Sequence, residues 1–416
     1  MKPIILLLIF AFSIFGTMFS FATASSIPLS GSYLLRANGV EAIYWNPANI
    51  SSADKSIILP GMNQTIGLGN NSFDLDTYKY LSGRYLSAAD KKMILQKVKG
   101  GVSAFTEANF VLFGMIFNNI AVATSSHAVG NVRLSDRYVK IALLGNEESD
   151  YFFDKDNNQL SALSYQDISI GYGDINISKY ARNLNLPDIR LGVSVSGLIG
   201  IGVVETESYR GVLHTGTDGM DFKHDIYVKT GMGGYGVKTM ISLCSEPISH
   251  LKFGLSLDNL LWQMNWIGTN ERHHFLVKAD SAYAYDVEDD DIVNEHDTES
   301  IQSFTTRVPT ESRLAVLYQQ KHYSLSCDYI MGFNDSFITS TIGTVSFGAE
   351  FLPLLKMPVQ IGLTPGNNIM PRSFSYGIGF RGRRIECGIG VKSVRSILPG
   401  YYTIGITLSS KFTIFY

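Results

Sequence analysis

Residues Tyr401–Tyr416, YYTIGITLSSKFTIFY, decide the fold class. Every second position of this stretch belongs to an almost wholly apolar set, and the positions between are mostly small or polar. A period of two residues predicts a β-strand with one dry face and one wet face. A transmembrane barrel strand has this form, with apolar side chains toward lipid and aromatic residues at the interfaces. A strand of a soluble sandwich is the alternative, but such a strand rarely ends flush with the chain terminus.

The same alternation recurs upstream and predicts fourteen strands. Short connections are expected near 118, 246, 320, 354 and 382, and longer ones near 85, 145, 213, 285, 337, 368 and 397. An even strand count with short turns on one rim and long loops on the other is typical of an antiparallel up-and-down outer-membrane barrel. Closing the sheet into a barrel gives every backbone N–H and C=O group within the lipid a hydrogen-bond partner and leaves no unpaired strand edge. We therefore predict an all-β transmembrane barrel over residues 55–416, with short helices in its outer loops.

The beginning of the chain predicts export. Lys2 precedes an apolar run that ends at Ala22-Thr23-Ala24, which is typical of a secretory signal peptide covering residues 1–24. A membrane anchor is the alternative, and the small residues at the end of the run argue against it. Downstream there is no apolar run of about 18 residues that would form a membrane-spanning helix.

Charge and cysteine content exclude several classes of protein. The chain has 34 Lys and Arg against 37 Asp and Glu, without a basic patch, so nucleic acid is not an expected partner. Cys244, Cys327 and Cys387 are single and widely spaced on predicted strands. They form neither a disulfide framework nor a zinc site, and we expect no cofactor and no metal.

Residues 25–54 lack the period of two and contain a turn at Asn46-Pro47. An ordinary loop before the first strand is one interpretation. The segment also resembles the N-terminal plug of FadL-type outer-membrane barrels, a family of fatty-acid and hydrocarbon transporters to which PorV-like proteins are related. The matching residues are Gly39, Ala42, Trp45, Asn46, Pro47 and Ala48. Fourteen is also the strand number of that family.

Charged residues on the inward set of the last strands are candidates for the lumen. The functional interpretation is that they contact the plug or the headgroup of a ligand, and the alternative is a generic polar interior. These residues are Arg381, Arg384, Glu386, Lys392 and Lys411.

Other motifs favour structural interpretations. Residues 231–236 match GxGxxG, but no helix follows, so strand glycines are the better interpretation. Residues 205–222 and 263–311 are predicted as polar loops. The latter contains His273-His274, near His296, and the acidic run Asp286–Asp291, for which solvated side chains are favoured over a metal or calcium site. No G-x-S-x-G motif is present, and we predict that the protein is not an enzyme.

The resemblance implies a function. In FadL-like transporters an apolar ligand is caught by outer loops, enters a plugged lumen and leaves through a gap in the wall. The expected location is the bacterial outer membrane, with the C-terminus in the periplasm. Expected partners are membrane lipid, a hydrophobic ligand and the barrel-assembly machinery, which would recognise the strand ending in Tyr416. The alternatives are a PorV-like binding component of type IX secretion and a structural surface barrel.

Overall fold

A computed structural model describes residues 23–51, 55–178, 188–216, 219–282, 292–336, 338–352, 356–366, 371–400 and 402–416. Most of the predicted signal peptide and the acidic run Asp286–Asp291 lie outside these ranges, so both stay predictions. Within the ranges, nineteen strands form one antiparallel sheet. They are β1 Ser56–Ile58, β2 Asn63–Asn70, β3 Val102–Phe117, β4 Ile120–Leu134, β5 Asp150–Asp154, β6 Gln159–Asn176, β7 Ile189–Gly216, β8 Gly219–Ile248, β9 Leu251–Trp266, β10 Asn270–Ala282, β11 Ile292–Ser300, β12 Phe304–Arg307, β13 Glu311–Gln319, β14 Tyr323–Gly332, β15 Thr344–Phe351, β16 Val359–Thr364, β17 Ser373–Arg381, β18 Ile385–Val394 and β19 Gly405–Phe415.

Fourteen wall strands close the sheet into a barrel. The first is β1 and β2 together, and the others are β3, β4, β6 to β9 and β13 to β19, with β12 extending β13 along β9. β19 pairs antiparallel with both β1 and β2, which joins the last wall strand to the first. The predicted fourteen-strand closed barrel is confirmed.

The first wall strand is broken at Pro60-Gly61. β1 ends at Ile58 and β2 begins at Asn63, so the ladder against β19 is interrupted. The side chain of Asn63 compensates, because its Oδ1 accepts a hydrogen bond from the backbone N–H of Phe412 at 2.8 Å. Proline cannot donate to a ladder, which explains the break at this position.

The terminal strand shows the alternation that the sequence predicts. Thr407, Ser409 and Thr413 are buried on the inside, whereas Leu408 points outward and is 54% exposed. Large apolar side chains on the outer faces of the other wall strands are similarly exposed, among them Ile168, Ile199 and Leu314. An apolar outer surface with small polar groups inside is the arrangement of a barrel in lipid.

Two strands extend far beyond the barrel wall. β7 has 28 residues and β8 has 30, whereas about 9–11 residues suffice to cross a bilayer. Their outer halves pair with each other, and β5, β10 and β11 complete a protruding sheet in the order β5-β7-β8-β10-β11. The predictions of polar loops over 205–222 and 263–311 are therefore wrong for most of their length.

Short helices occupy the segments before and between the strands. They are α1 Ala42–Trp45, α2 Leu75–Leu81, α3 Ala88–Lys97 and α4 Asp136–Leu144, with 3-10 turns at Ile27–Leu29, Gly39–Glu41 and Pro47–Asn49. Ser87 is the N-cap of α3, where Ser87 and Asp90 form a reciprocal capping box. α4 packs Tyr138 and Ile141 on the protruding sheet. Among the helices of the described ranges, none is long and apolar enough to cross a membrane.

Candidate functional site

The N-terminal segment fills the lumen on the side of the short turns. We call residues 23–51 the plug. Val40, Ile43 and Ile50 of the plug pack in one apolar cluster with the wall residues Ile116 and Ala121. A second part of the plug, around Leu34 and Leu35, packs against wall residues that include Cys244, Ala315 and Leu317. The plug is thus held by apolar burial on two sides of the lumen.

Inward-facing glycines let the plug backbone approach the wall. A methyl group at Gly192 would overlap the backbone nitrogen of Ala48, and one at Gly362 would overlap the backbone of Leu29. A methyl group at Gly254 would lie 2.7 Å from the side chain of Leu35. The absence of a Cβ is what permits this packing, as expected where another backbone comes close to a strand.

The six plug-motif residues lie close together in this packing. Gly39 has φ of +59°, and the backbone of Ala48 donates to Ser242 Oγ of the wall at 2.9 Å. The left-handed backbone explains the glycine at position 39. The indole of Trp45 contacts Tyr33 edge-on at 5.5 Å and lies under the guanidinium of Arg313 at 4.6 Å. The other motif residues, Ala42, Asn46 and Pro47, are buried around it.

A single wall carboxylate anchors one turn of the plug. Asp328 on β14 accepts hydrogen bonds from Ser32 Oγ at 2.7 Å, Tyr33 N at 3.1 Å and Leu34 N at 2.9 Å. Beside it, Arg36 donates through Nη1 and Nε to two serine hydroxyls of the same strand at 2.6 and 3.1 Å. Hydrogen bonds to an ionised acceptor are about twice as strong as neutral ones.

Three of the predicted lumen residues form an ion network with the plug. Lys411 Nζ lies 3.8 Å from Glu41 of the plug and 3.4 Å from Glu386. Glu386 pairs with Arg381 at 3.1 Å, and Arg381 pairs with Glu350 at 3.2 Å. The network thus runs from the plug across the strands β19, β18, β17 and β15.

The plug end of this network includes a phenol. Tyr33 donates to Glu41 at 2.8 Å. Burial, together with the Glu41 carboxylate, raises the pKa of Tyr33 well above its usual value, so the phenol stays protonated and keeps donating.

The other two predicted residues lie elsewhere. Arg384 is exposed in the turn between β17 and β18, so the prediction that it faces the lumen is corrected. The ladder between the two strands ends at this turn, and the alternation of side chains no longer fixes the orientation of Arg384. Lys392 faces the lumen on the long-loop side of the plug, apart from the ion network of Lys411, Glu386 and Arg381.

Two polar clusters of the lumen were not found from the sequence. In the first, Lys238 pairs with Asp258 at 3.0 Å, and Arg313 pairs with Glu311 at 2.7 Å, next to Trp45. Charges recurring on the inward set of consecutive strands could have indicated this cluster.

The second cluster surrounds His127. Its Nε2 lies 3.0 Å from the carboxylate of Asp167, which also accepts a hydrogen bond from the hydroxyl of the plug residue Tyr44 at 3.1 Å. Its Nδ1 lies 2.8 Å from Asn109. No sequence motif links these residues, since they come together only through the barrel. Across the described part of the chain, no cluster of three or more His, Cys, Asp or Glu side chains could hold a metal.

The plug separates two cavities. The short-turn cavity has a volume of about 410 Å³, and the long-loop cavity has a volume of about 120 Å³. The short-turn cavity is bordered by Arg36, Arg381, Glu350, Glu386 and Lys411. The long-loop cavity has Trp45 of the plug as one of its lining residues, and its apolar lining includes Ile27, Phe105, Ile330, Met331, Ile338, Ile342 and Val394.

Lys392 is the cation of the long-loop cavity. No described residue lies within ion-pair or hydrogen-bond distance of its ammonium group. Its charged neighbour is Glu107, whose carboxylate accepts from Thr407 at 3.1 Å. The cavity therefore combines apolar lining residues with one ammonium group that lies near the Glu107 carboxylate but is held in no ion pair by a described residue.

The contacts between plug and wall are unevenly satisfied. On the side of Asp328, Ser32, Tyr33 and Leu34 all donate to the carboxylate, and only Nη2 of Arg36 lacks a partner among the described residues there. Around Asn46 and on the inner face of β2 and β19, several buried polar atoms have no hydrogen-bond partner among the described residues. They are Glu41 Oε1, both side-chain polar atoms of Asn46, Asn63 Nδ2, Thr65 Oγ1, Ser409 Oγ and Thr413 Oγ1. Each such group weakens the docked state, because its loss of hydration is not compensated.

No protein-family profile and no curated protein sequence matches the chain. Solved structures do match over nearly the full length. The toluene transporter TbuX of Ralstonia pickettii is 11% identical, with 94% of this chain and 98% of that chain covered and a TM-score of 0.50. A FadL homologue of Pseudomonas aeruginosa is 11% identical, with 96% and 99% covered and a TM-score of 0.51. A deletion mutant of the TodX monoaromatic hydrocarbon channel is 9% identical, with 94% and 97% covered and a TM-score of 0.51.

At these identities the likeness concerns the fold. The chain forms a closed fourteen-strand barrel of the FadL type, and the resemblance predicted from the plug motif and the strand count is confirmed at that level.

Proposed function

We propose that this protein is an outer-membrane channel that admits small hydrophobic or amphipathic molecules past a movable plug. The observation that carries the proposal is the division of the lumen by residues 23–51 into a long-loop cavity and a short-turn cavity. Passage from one cavity to the other requires the plug to shift. The relatives in fold are a toluene transporter, a monoaromatic hydrocarbon channel and a FadL homologue, which favours this substrate class.

The plug is built to move as a unit. It contributes no strand to the wall, so its displacement breaks no ladder. Its polar contacts with the wall include those to Asp328, Asp167 and Ser242, whereas the side facing β2 and β19 leaves several buried polar atoms without partners among the described residues. A docked state with such uncompensated groups is closer in free energy to a displaced state than a fully satisfied one would be.

The long-loop cavity is suited to an amphipathic ligand. Its apolar lining would stabilise a hydrocarbon body by roughly 25 cal/mol per Å² buried. Lys392 would meet an anionic head such as a carboxylate, which forms short charge-assisted hydrogen bonds with an ammonium group. A neutral hydrocarbon would use the lining alone.

The orientation follows the rims. Short turns of outer-membrane barrels face the periplasm and long loops face outward. On that rule the protruding sheet lies outside the cell, the long-loop cavity receives the ligand, and the short-turn cavity with the C-terminus opens to the periplasm. The alternative of a PorV-like secretion component has no support from the comparisons.

A disulfide that locks the plug tests the proposal. Ser30 Oγ of the plug lies 2.7 Å from Ser375 Oγ on β17, and both are buried. Cysteines at these positions would place two sulfur atoms close to bonding distance. The variant S30C/S375C, made with the three native cysteines replaced by Ala, should take up labelled toluene or decanoate into proteoliposomes only after reduction.

The matched control is S169C/S196C, whose hydroxyls lie 2.6 Å apart between the wall strands β6 and β7. This disulfide fixes wall to wall, so oxidised and reduced protein should transport equally. Normal uptake by fully oxidised S30C/S375C would show that the plug need not move. Absence of uptake by the reduced protein for every tested hydrocarbon and acid would remove the proposed substrate class.

A further inference from the structure

The short-turn rim of the barrel carries a row of unpaired cations. Three successive turns, which connect β13 to β14, β15 to β16 and β17 to β18, contain the exposed residues Lys321, Lys356, Arg383 and Arg384. We call these four residues the basic rim. The turn sequences Gln320–His322, 352–358 and Gly382–Arg384 contain no Asp or Glu. Among the described residues, none of the four cations has an ion-pair partner.

The cations at the opposite part of this rim are arranged differently. Arg190 lies 3.5 Å from Asp188 and 3.9 Å from Asp174. Lys252 lies 3.9 Å from Glu246. These charges are partly balanced by the chain itself. Of the described rim cations without an ion-pair partner, four lie on the turns between β13 and β18, and Lys55 lies next to β1.

Each turn of the basic rim borders a lipid-facing apolar side chain. Lys321 is followed after one residue by Tyr323, Lys356 is followed by Met357, and Arg384 is followed by Ile385. These three apolar side chains are 39–40% exposed; Tyr323 and Ile385 begin β14 and β18, and Met357 lies two residues before β16. A cation placed next to a lipid-facing residue at the end of a strand lies at headgroup depth, where long basic side chains reach the interface.

The spacing gives the row a definite extent. Neighbouring strands lie about 4.8 Å apart, so successive turns on one rim are about 10 Å apart and the three turns span about 20 Å. A binding site for a soluble acidic protein would need cations that point away from the membrane, into the water. Here each cation is one or two residues from an exposed apolar side chain, which favours lipid as the occupant.

We propose that the basic rim binds anionic phospholipid, with the phosphate groups on Lys321, Lys356, Arg383 and Arg384 and the acyl chains against the adjoining apolar residues. The site goes beyond ligand transport and does not depend on it. Each basic residue near an anionic membrane surface changes affinity by about fivefold. The attraction is screened within a Debye length of about 10 Å at 0.1 M salt, so binding weakens as salt is raised.

Native mass spectrometry of the full chain in detergent tests the site, with phosphatidylglycerol and phosphatidylcholine of identical acyl chains as probes. Wild type should bind phosphatidylglycerol at least tenfold more tightly than phosphatidylcholine. The variant K321Q/K356Q/R383Q/R384Q should lose at least tenfold of that affinity and keep its affinity for phosphatidylcholine. The matched control K91Q/K92Q/K99Q/R372Q removes four cations from the long-loop side and should bind as wild type does.

The outcomes separate the alternatives. Heat-modifiable migration in SDS gels reports that each variant is a folded barrel. Equal phosphatidylglycerol binding by wild type and the rim variant overturns the proposal. So does an equal loss in the control, which would mean that only net charge matters. The surface would instead belong to an acidic protein if such a protein co-purified with wild type but not with the rim variant, and if wild type showed no preference between the two lipids.

Discussion

The replacement D328A tests how the plug is held. The carboxylate of Asp328 accepts three hydrogen bonds from the plug, at 2.7 to 3.1 Å, and the residue is 1% exposed. Alanine removes the carboxylate that accepts all three hydrogen bonds, without adding bulk. In the docked state Tyr33 and Leu34 would keep buried backbone N–H groups without that partner, whereas in the displaced state water satisfies them.

The contacts give the magnitude. A hydrogen bond to a charged acceptor contributes about 1.5–3 kcal/mol net. Three bonds that share one carboxylate are not independent, so their sum overstates the effect. We expect plug docking to weaken by about 3–5 kcal/mol, which raises the ratio of displaced to docked plug by roughly 10² to 10⁴. The wall should persist, because Asp328 and its β15 neighbour remain paired through their backbones.

Planar-bilayer conductance is the assay, since a displaced plug joins the two cavities into a continuous aqueous path. D328A should show openings that are rare in wild type, and its plug should be cleaved faster by added protease. The control is S346A, on the residue directly opposite Asp328, whose hydroxyl lies 3.1 Å from the wall residue Thr364. Equal conductance and equal plug cleavage in D328A and wild type would refute the anchoring role of this carboxylate.

Two further substitutions probe the seat of the plug and the ligand cavity. G192A places a methyl group against the backbone of Ala48 and should weaken plug docking by about 1–3 kcal/mol. The control G197A, on the outer face of the same strand, should leave docking unchanged. The rate at which protease cleaves the plug in the folded barrel measures both effects. Equal cleavage of the two variants would show that the plug does not need this close approach. K392Q should weaken decanoate binding by about tenfold or more, because a charge-assisted hydrogen bond is lost, and leave toluene binding unchanged in calorimetric titrations. A similar loss for both ligands would remove the headgroup role.

The wall could be predicted because one physical rule governs it. Between lipid and lumen each strand must alternate, so β3 is recognisable from residue 102 to residue 117 and β19 from its terminal pattern. The kink at Pro60-Gly61 follows from the missing proline donor. The plug motif placed Trp45 and its neighbours in the lumen through a resemblance, not through periodicity.

The protruding sheet could not be predicted by that rule. Beyond the membrane both faces of β10 meet water or a polar neighbour, so the alternation between apolar and polar positions is lost. Its pairing with β8 and β11 is a long-range contact that no local pattern encodes. The segments 205–222 and 263–311 therefore resemble loops in sequence although most of their described residues are strands.

The charged lumen residues show the same limit. Alternation places Arg381, Glu386, Lys392 and Lys411 on the inner face but does not say which of them the plug neutralises. That division depends on where residues 23–51 lie, which is fixed by the glycines of distant strands. Arg384 illustrates the end of the rule, since one residue beyond a ladder the side chain is free to turn outward.

Site-directed spin labels along β19, in protein reconstituted into lipid vesicles, test the central claim that this sequence forms a closed wall between lipid and lumen. Labels at Ile406, Leu408, Ser410 and Phe412 should be accessible to oxygen dissolved in the bilayer, and labels at Thr407, Ser409, Lys411 and Thr413 should be shielded from it. A period of two residues along the strand is the predicted result. Oxygen accessibility that is uniform along the strand, or equally low on both faces, would contradict a lipid-embedded barrel.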